Sequence, residues 1–231
     1  MAAKLQTLID KQDTFEIVRD RIAQIIVDES ANQVALATTA GKSDPTQWDL
    51  RVFTERAEPW EQVQRDQEAN RVSDVPIVNV WFESLTFDER KSNVVSRQQG
   101  PGTFSIDVYG FGRSIETVEG HNPGDSVASL KMQQGVRLVR NILMSGYYVT
   151  LGWDLPQTTV GQRFIRSIAA FQPNAKDSPA IRMATGRISF EVSFNETSSE
   201  YTGSTLEKVS TDIKRAEDGS VLVSADYIYD A

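Results

Sequence analysis

Residues 180–194 read AIRMATGRISFEVSF, and this stretch gives the clearest β-strand pattern of the chain. Its second half places apolar side chains on successive even positions, so that they share one face of an extended strand: Ile188, Phe190, Val192 and Phe194. The apolar residues Ile181 and Met183 hold odd positions instead, which places a change of phase at Thr185-Gly186. Because a one-residue insertion shifts the phase of a strand, the pattern predicts a β-bulge at that point.

Two further segments have strand character. Residues 103–109 alternate apolar and polar side chains, and residues 75–83 (VPIVNVWFE) form an apolar run typical of a buried strand. We expect these strands to pair antiparallel, with Pro76 at the start or on an edge because proline cannot donate to a ladder. The polar residues 88–102 end in Gly100-Pro101-Gly102, which predicts a break and a projecting β-arm, and residues 55–74 predict a second polar excursion.

Two segments have helical periodicity. Residues 13–29 carry an apolar stripe, and Asp13 with Glu16 resembles a capping box. Residues 126–145 predict a second helix with Asp125 as N-cap and Gly146 as terminator, and a glycine within it, Gly135, is typical of close packing. The two apolar stripes consist of Phe15, Val18, Ile22, Ile25 and Ile26, and of Val127, Leu130, Leu138, Val139, Ile142 and Leu143.

These elements predict an α+β fold, a mainly antiparallel sheet packed by two helices. Shorter strands are expected at 48–54, 147–151 and 163–171, with loops at 30–44, 110–112 and 114–124. The tail 206–228 alternates apolar residues on both sides of Asp218-Gly219, which predicts a C-terminal β-hairpin. An isolated hairpin is marginal in water, so its apolar face needs a partner. We therefore divide the chain into a core at 1–203, with its β-arm excursions, and a hairpin extension at 204–231.

Composition restricts the possible functions. The 231 residues include 24 Lys and Arg and 32 Asp and Glu, a net charge of -8, which disfavours a continuous basic face for DNA. There are no cysteines and one histidine, so thiolate catalysis, cysteine-ligated metals and multi-histidine sites are excluded. No run approaches the roughly 20 apolar residues of a membrane span, and the first ten residues have no signal-peptide pattern. The default expectation is a cytoplasmic protein.

The sequence gives no catalytic, cofactor-binding or metal-ligating residue, and no cofactor is expected. His121 lies near Asp125, Ser126 and Ser129, but their spacing matches no nucleophile–base order. Gly110-x-Gly112 follows a strand without the further glycine and helix of a nucleotide loop. Several carboxylates are scattered without calcium-loop spacing: Asp88, Glu89, Glu207, Asp212, Glu217 and Asp218. The tryptophans (Trp48, Trp60, Trp81 and Trp153) are interpreted as core or interface anchors. A non-catalytic binding or assembly protein is therefore favoured.

Four segments resemble one family. Residues 75–83 (VPIVNVWFE), 102–110 (GTFSIDVYG), 135–144 (GVRLVRNILM) and 188–196 (ISFEVSFNE) are similar to tail-terminator proteins of long-tailed bacteriophages, also called tail-completion or neck proteins. The order of elements is similar too, over roughly residues 13–196. The matching segments are structural rather than catalytic, and the hairpin at 206–228 lies outside the resemblance.

The resemblance implies a structural virion protein that forms a homo-oligomeric, hexameric ring. Such a ring caps the tail tube, and the sheath if the tail is contractile, and presents a docking surface to the head connector. DNA would pass through its channel without specific binding, for which an acidic subunit is suited. The implied location is the tail or neck of the virion, assembled in the host cytoplasm, without a membrane. Two alternatives stay open: another neck or tail-tube component such as a head-completion protein, and a carboxylate- or serine-dependent enzyme.

Overall fold

A computed structural model describes residues 12–59, 61, 75–88, 97–118, 120–152, 160–171, 182–197, 208–214 and 221–228. The helices in this part of the chain are α1 (Thr14–Thr39) and α2 (Gly124–Met144), with short 3₁₀ helices at Pro45–Trp48 and Gly146–Tyr148. The strands are β1 (Arg51–Thr54), β2 (Ile77–Leu85), β3 (Arg97–Gly112), β4 (Ile115–Thr117), β5 (Gly120–Asn122), β6 (Val160–Phe171), β7 (Arg182–Thr197), β8 (Lys208–Lys214) and β9 (Val221–Ile228).

Five strands form one sheet in the order β1-β2-β3-β7-β6. β1 pairs parallel with β2, whereas the other three pairs are antiparallel, including the predicted pairing of β2 with β3. α2 packs on β3 and β7, and α1 packs on β1 and β2. The chain therefore has the predicted α+β fold. The largest fully buried side chains of its core include Ile22, Ile26, Phe104, Ile106, Leu143, Ile188, Phe190 and Phe194.

The predicted β-bulge at Thr185-Gly186 is wrong. β7 pairs with β3 in an unbroken register across these residues, and the register shifts of the sheet lie elsewhere, between β6 and β7 and between β2 and β3. The phase changes because the strand has apolar contacts on both faces. Even-numbered residues such as Ile188 face the helices, whereas Met183 packs on the opposite face against a second cluster formed by Ile77, Tyr109 and Phe111.

The predicted break at Gly100-Pro101-Gly102 is also wrong, because β3 runs through it and pairs Pro101 with Ser193 of β7. The Pro101 carbonyl accepts a hydrogen bond from the Thr86 N–H, on the side away from β7. Since the N–H and C=O of a strand residue point to the same side, the donor that proline lacks costs no bond to β7. Residues 97–102 are thus sheet rather than arm, while residues 89–96 of the predicted arm lie outside the described residues.

Residues 110–112 continue β3 instead of forming the predicted loop, and their glycines allow α2 to lie close to the sheet. A Cβ at Gly110 would come within 2.2 Å of the Ala128 carbonyl oxygen, and one at Gly112 within 2.2 Å of the Gly124 carbonyl oxygen. Gly135 of α2 does the same from the helix, since a Cβ there would meet Val108 at 2.7 Å. These glycines are therefore packing residues.

α1 begins as predicted and ends later. Asp13 N–H donates to Glu16 Oε2 at 2.9 Å, so that the Glu16 part of the capping box is present. Glu196 of β7 accepts hydrogen bonds from Thr14 N–H at 2.7 Å and Phe15 N–H at 3.2 Å, which places a carboxylate at the positive end of the helix. The helix extends to Thr39 rather than to residue 29. Residues 30–39 were expected to form a loop, but alanine-rich sequence has high helix propensity.

α2 differs from its prediction in its N-cap and in its apolar stripe. Its N-cap is Pro123 rather than Asp125, which lies in the first turn. Leu130 of the predicted stripe is 64% exposed, and Leu138 is half-buried; Ala128, Met132 and Val136 take part in the buried face instead. The helix ends where Arg163 of β6 donates to the carbonyl oxygens of Leu143 and Ser145. A guanidinium at the C-terminus of a helix satisfies carbonyls that have no partner within it.

Two predicted short strands are partly or wholly wrong. Residues 147–151 form no strand. Tyr147 and Tyr148 belong to the 3₁₀ helix, at whose start Ser145 accepts the Tyr147 N–H, and residues 149–151 form a turn in which Leu151 adopts a positive φ of 54°. In the segment 48–54, Trp48 ends a 3₁₀ helix capped by Asp44, and the strand covers only Arg51–Thr54. The predicted loop at 114–124 contains β4 and β5, which pair antiparallel.

The sheet with its helices belongs to a compact unit spanning Asp10–Ser198, and β8 and β9 belong to a second unit. β8 and β9 pair with each other antiparallel, as their alternation predicts. The Asp218-Gly219 turn and most of the excursion at 55–74 lie outside the described residues. The projection of the arm and hairpin, and the division at residue 203, stay predictions.

Candidate assembly surfaces

The neighbourhood of His121 is an exposed hairpin. His121 lies on β5, and its Nδ1 is 2.8 Å from Oε1 of Glu116 on β4. Asp125 accepts the backbone N–H of Ser126 at the start of α2, and no serine hydroxyl of the described residues hydrogen-bonds to the imidazole. This arrangement contains no activated nucleophile.

The other residues considered for chemistry are dispersed. Gly110 and Gly112 lie under the α2 backbone, so they leave no room for a phosphate. Asp88 donates its N–H to Gln99 and Asp212 lies on β8, whereas the other scattered carboxylates are outside the described residues. No group of three potential metal ligands occurs within the described ranges, and no helix in them is long and apolar enough to cross a membrane.

The sheet face opposite the helices carries a polar network. Arg187 of β7 donates to both carboxylate oxygens of Asp107 of β3, with Nε–Oδ1 at 2.6 Å and Nη2–Oδ2 at 2.8 Å. The hydroxyl of Tyr109 lies 3.4 Å from Asp107 Oδ2. Burial and, to a smaller extent, the nearby Asp107 carboxylate raise the pKa of Tyr109. Because Asp107 and Tyr109 are almost completely buried, this network holds β3 to β7 rather than offering a binding surface.

A groove of about 720 Å³ lies between α1, the 3₁₀ helix Pro45–Trp48, and α2 with the turn that follows it. Its walls include Trp48, Tyr147 and Tyr148, together with Arg137 and several side-chain amides. Tyr147 is 84% exposed. Tryptophan, tyrosine and arginine are the residue types that most often dominate the energy of protein interfaces. The groove is therefore a candidate docking surface.

Glu29 organises one side of this groove. Its carboxylate accepts hydrogen bonds from Asn32 at 3.0 Å, Gln33 at 2.7 Å and the Tyr148 hydroxyl at 3.0 Å. Burial opposes ionisation of Glu29, but the three hydrogen bonds together outweigh it and lower its pKa. Burial and the Glu29 contact raise the pKa of Tyr148. The pair thus fixes Tyr148 against α1 across a separation of 119 residues.

We expect Glu29→Gln to lower the free energy of unfolding at pH 7 by about 1 kcal/mol, since it removes a charged acceptor at a partly exposed site. A carboxylate whose pKa is lower in the folded protein stabilises it above its unfolded pKa, and this stability is lost as the pH falls through the folded pKa. The difference in the free energy of unfolding between wild type and variant should therefore become smaller below pH 4.5. Urea unfolding across this range measures it, with the exposed Glu58→Gln as control; a constant difference contradicts the assignment.

β6 is the second candidate surface, because it forms an edge of the five-stranded sheet. Three of its large apolar side chains are substantially exposed: Phe164 by 45%, Ile168 by 46% and Phe171 by 40%. Every residue from Ser167 to Phe171 is exposed. Proteins normally cover or charge a long sheet edge, since its free backbone groups pair readily with another chain. The run 167–171 carries no charge of its own, and no described strand pairs with the outer side of β6, although Arg187 of β7 lies 5.4 Å from the centre of the Phe171 ring.

Comparison with known proteins assigns no family: no protein-family model matches the chain, and no curated protein matches it at a significant level.

Neither surface follows from the sequence patterns alone. The strand at 163–171 was predicted, but its place at the edge depends on the order of the sheet. The groove joins residues from distant segments, and its one visible signal is Trp48, interpreted from sequence as a core or interface anchor. Trp81 is half-buried on β2, while Trp60 and Trp153 lie outside the described residues.

Proposed function

We propose that the protein is a structural component of a long-tailed phage virion, a tail terminator. Its subunits form a ring, implied to be hexameric, that caps the tail tube, and the sheath where the tail contracts. The ring presents its other surface to the head connector, and DNA passes through the channel without specific contacts. The net charge of -8 is compatible with this passage, since an acidic subunit attracts little phosphate backbone.

The observation that carries this proposal is the exposed β6 edge. An exposed edge that carries three large apolar side chains, with an uncharged run at 167–171, is a hazard for a protein that stays monomeric, and an asset for one that assembles. Two edges of one subunit can make a head-to-tail contact, which closes into a ring when the rotation between subunits allows it. This is the kind of surface that a ring-forming subunit requires.

The segments that resemble tail terminators support the proposal from a second direction. They correspond to β2, β3, α2 and β7, which are the central strands of the sheet and the helix packed on them. The resemblance thus concerns one contiguous part of the fold rather than scattered surface residues. The groove beside Tyr147 and Arg137 then offers a surface for the tail tube or the head connector.

Another neck or tail-tube component remains the alternative, and the partner separates the two. A tagged copy expressed during infection should co-purify with the tail tube protein if it is a terminator, and with the portal if it is a head-completion protein. Infection by a phage that lacks the protein should accumulate unjoined heads and tails, and added purified protein should restore their joining. An enzyme would show neither association, and rescue would fail.

We expect Ile168→Lys to prevent ring formation while leaving the subunit folded. Lysine on an edge strand opposes pairing with another chain, and a change at a site 46% exposed should alter unfolding by no more than about 0.5 kcal/mol. Light scattering after size-exclusion chromatography measures the first effect, and urea unfolding the second. Leu130→Lys is the control, since Leu130 is an exposed apolar residue of α2. Rings that persist in Ile168→Lys would exclude β6 as the contact.

A further inference from the structure

The exposed run of β6 is regular as well as uncovered. The register of β6 with β7 shifts between Val160 and Arg163 and again between Ile165 and Ser167, and from Ser167 to Phe171 it is continuous. The five residues of this run, SIAAF, carry no charge and no proline. A regular edge of this kind presents its backbone donors and acceptors at strand spacing, so that it can accept a further strand.

The chain also contains two strands that lie outside the five-stranded sheet. β8 and β9 pair only with each other among the described residues, with strand lengths of seven and eight residues. A two-stranded sheet is marginal in water and gains independent stability from a third strand. A hairpin that gains stability from a third strand could therefore pair with an edge strand that can accept one.

We propose that β8 of a second copy of this chain pairs antiparallel with residues 167–171 of β6. This inference rests on the proposed ring, since it names the element that one subunit donates to the next. Joining β8 and β9 to this edge would extend the five-stranded sheet to seven strands. Antiparallel pairing is favoured because it is the more stable arrangement per residue.

Chain length argues for a second copy as the donor. β7 ends at Thr197, whereas Phe171 pairs with Thr185, twelve residues earlier and about 40 Å away along the strand. An antiparallel β8 must begin near Phe171. The eleven residue steps from Thr197 to Lys208 span at most about 40 Å when fully extended. The chain would have to be fully extended and also reverse its direction, which argues against antiparallel pairing of β8 with the β6 of the same chain. Pairing of β9 with that edge instead would give rings without a linkage between Ser167→Cys and the β8 cysteines.

The absence of cysteine makes the test direct. Ser167→Cys is introduced in one batch of protein, and Ser210→Cys in a second batch that carries a size tag. The two batches are mixed under assembly conditions, ring formation is checked by electron microscopy, and mild oxidation is followed by a non-reducing gel. Thr211→Cys and Asp212→Cys replace Ser210→Cys in parallel, because a disulfide forms only when the two Cα atoms lie about 4.4–6.8 Å apart.

A disulfide-linked dimer of one tagged and one untagged chain is the expected result, with at least one of the three β8 positions. Ser126→Cys, at an exposed site of α2, replaces Ser167→Cys in the control and should give no linked dimer. Rings without any linkage would overturn this inference and leave the proposed function standing. A linkage within one chain, seen when both cysteines are placed in the same molecule and diluted, would overturn it too. A protein that forms no ring would refute the proposed function itself.

Discussion

Replacing Arg187 by methionine should lower the free energy of unfolding by about 2–3 kcal/mol, because it leaves a buried carboxylate without its cation. The loss stays below that of a fully buried pair because the Arg187 side chain is itself 45% exposed. The Asp107 side chain is 3% exposed, and Arg187 supplies a hydrogen bond to each of its oxygens. Methionine preserves much of the apolar stem of arginine, so the loss comes mainly from the missing charge and donors. Equilibrium unfolding in urea measures the change.

The neighbouring pair provides a matched control. Arg166 of β6 also contacts its carboxylate, on Glu191, through two nitrogen atoms, but the side chains are 54% and 20% exposed. Arg166→Met should therefore cost about 1 kcal/mol or less. The double variant Asp107→Asn with Arg187→Met should recover part of the loss, since the charge has gone. Equal effects of the two arginine variants would show that burial does not govern the strength of these pairs.

Gly110→Ala should destabilise the protein by about 3 kcal/mol or more, the upper end of the range for overpacking. The added Cβ would lie 2.2 Å from the Ala128 carbonyl oxygen and 2.4 Å from the Met132 nitrogen. Both are backbone atoms of α2, so no side-chain rotation relieves the contact and the whole helix must move. Thermal unfolding followed by circular dichroism measures the loss.

Gly161 of β6 is the matched control for this change, since it is also a strand glycine. A Cβ there meets Ser193 only at 3.5 Å, which is ordinary contact. Gly161→Ala should be neutral or stabilise by up to about 1 kcal/mol, because alanine has less freedom to lose on folding. If Gly110→Ala is as well tolerated as Gly161→Ala, α2 does not rest on these strands as described.

The sequence predicted those elements whose local pattern and tertiary environment agree. Strict alternation located β3 and β7, and an acidic pair located the start of α1, because these signals arise within a few residues. It failed where glycine is a packing residue rather than a turn residue. Gly100, Gly102, Gly110 and Gly112 look like interruptions, yet each lies where a Cβ would collide with a neighbouring element.

Two further differences arise where a phase change or a polar composition reflects tertiary contacts rather than local geometry. Met183 is out of phase because it packs on the opposite face, which a pattern for a single buried face does not anticipate. Residues 30–39 have the composition of a loop, yet they continue α1. Ser30 can be buried there because its hydroxyl donates a hydrogen bond to the Trp48 carbonyl at 2.8 Å. Tertiary contacts decide both cases, as they decide which strand becomes the exposed edge.

Assembly into a ring can be observed by electron microscopy of the purified protein incubated with isolated tails. We expect closed rings of about six subunits, seated at the end of the tail tube that joins the head. Ile168→Lys should leave those tube ends bare. A protein that remains monomeric at all concentrations, and that leaves the tube ends unoccupied, would refute the proposed ring.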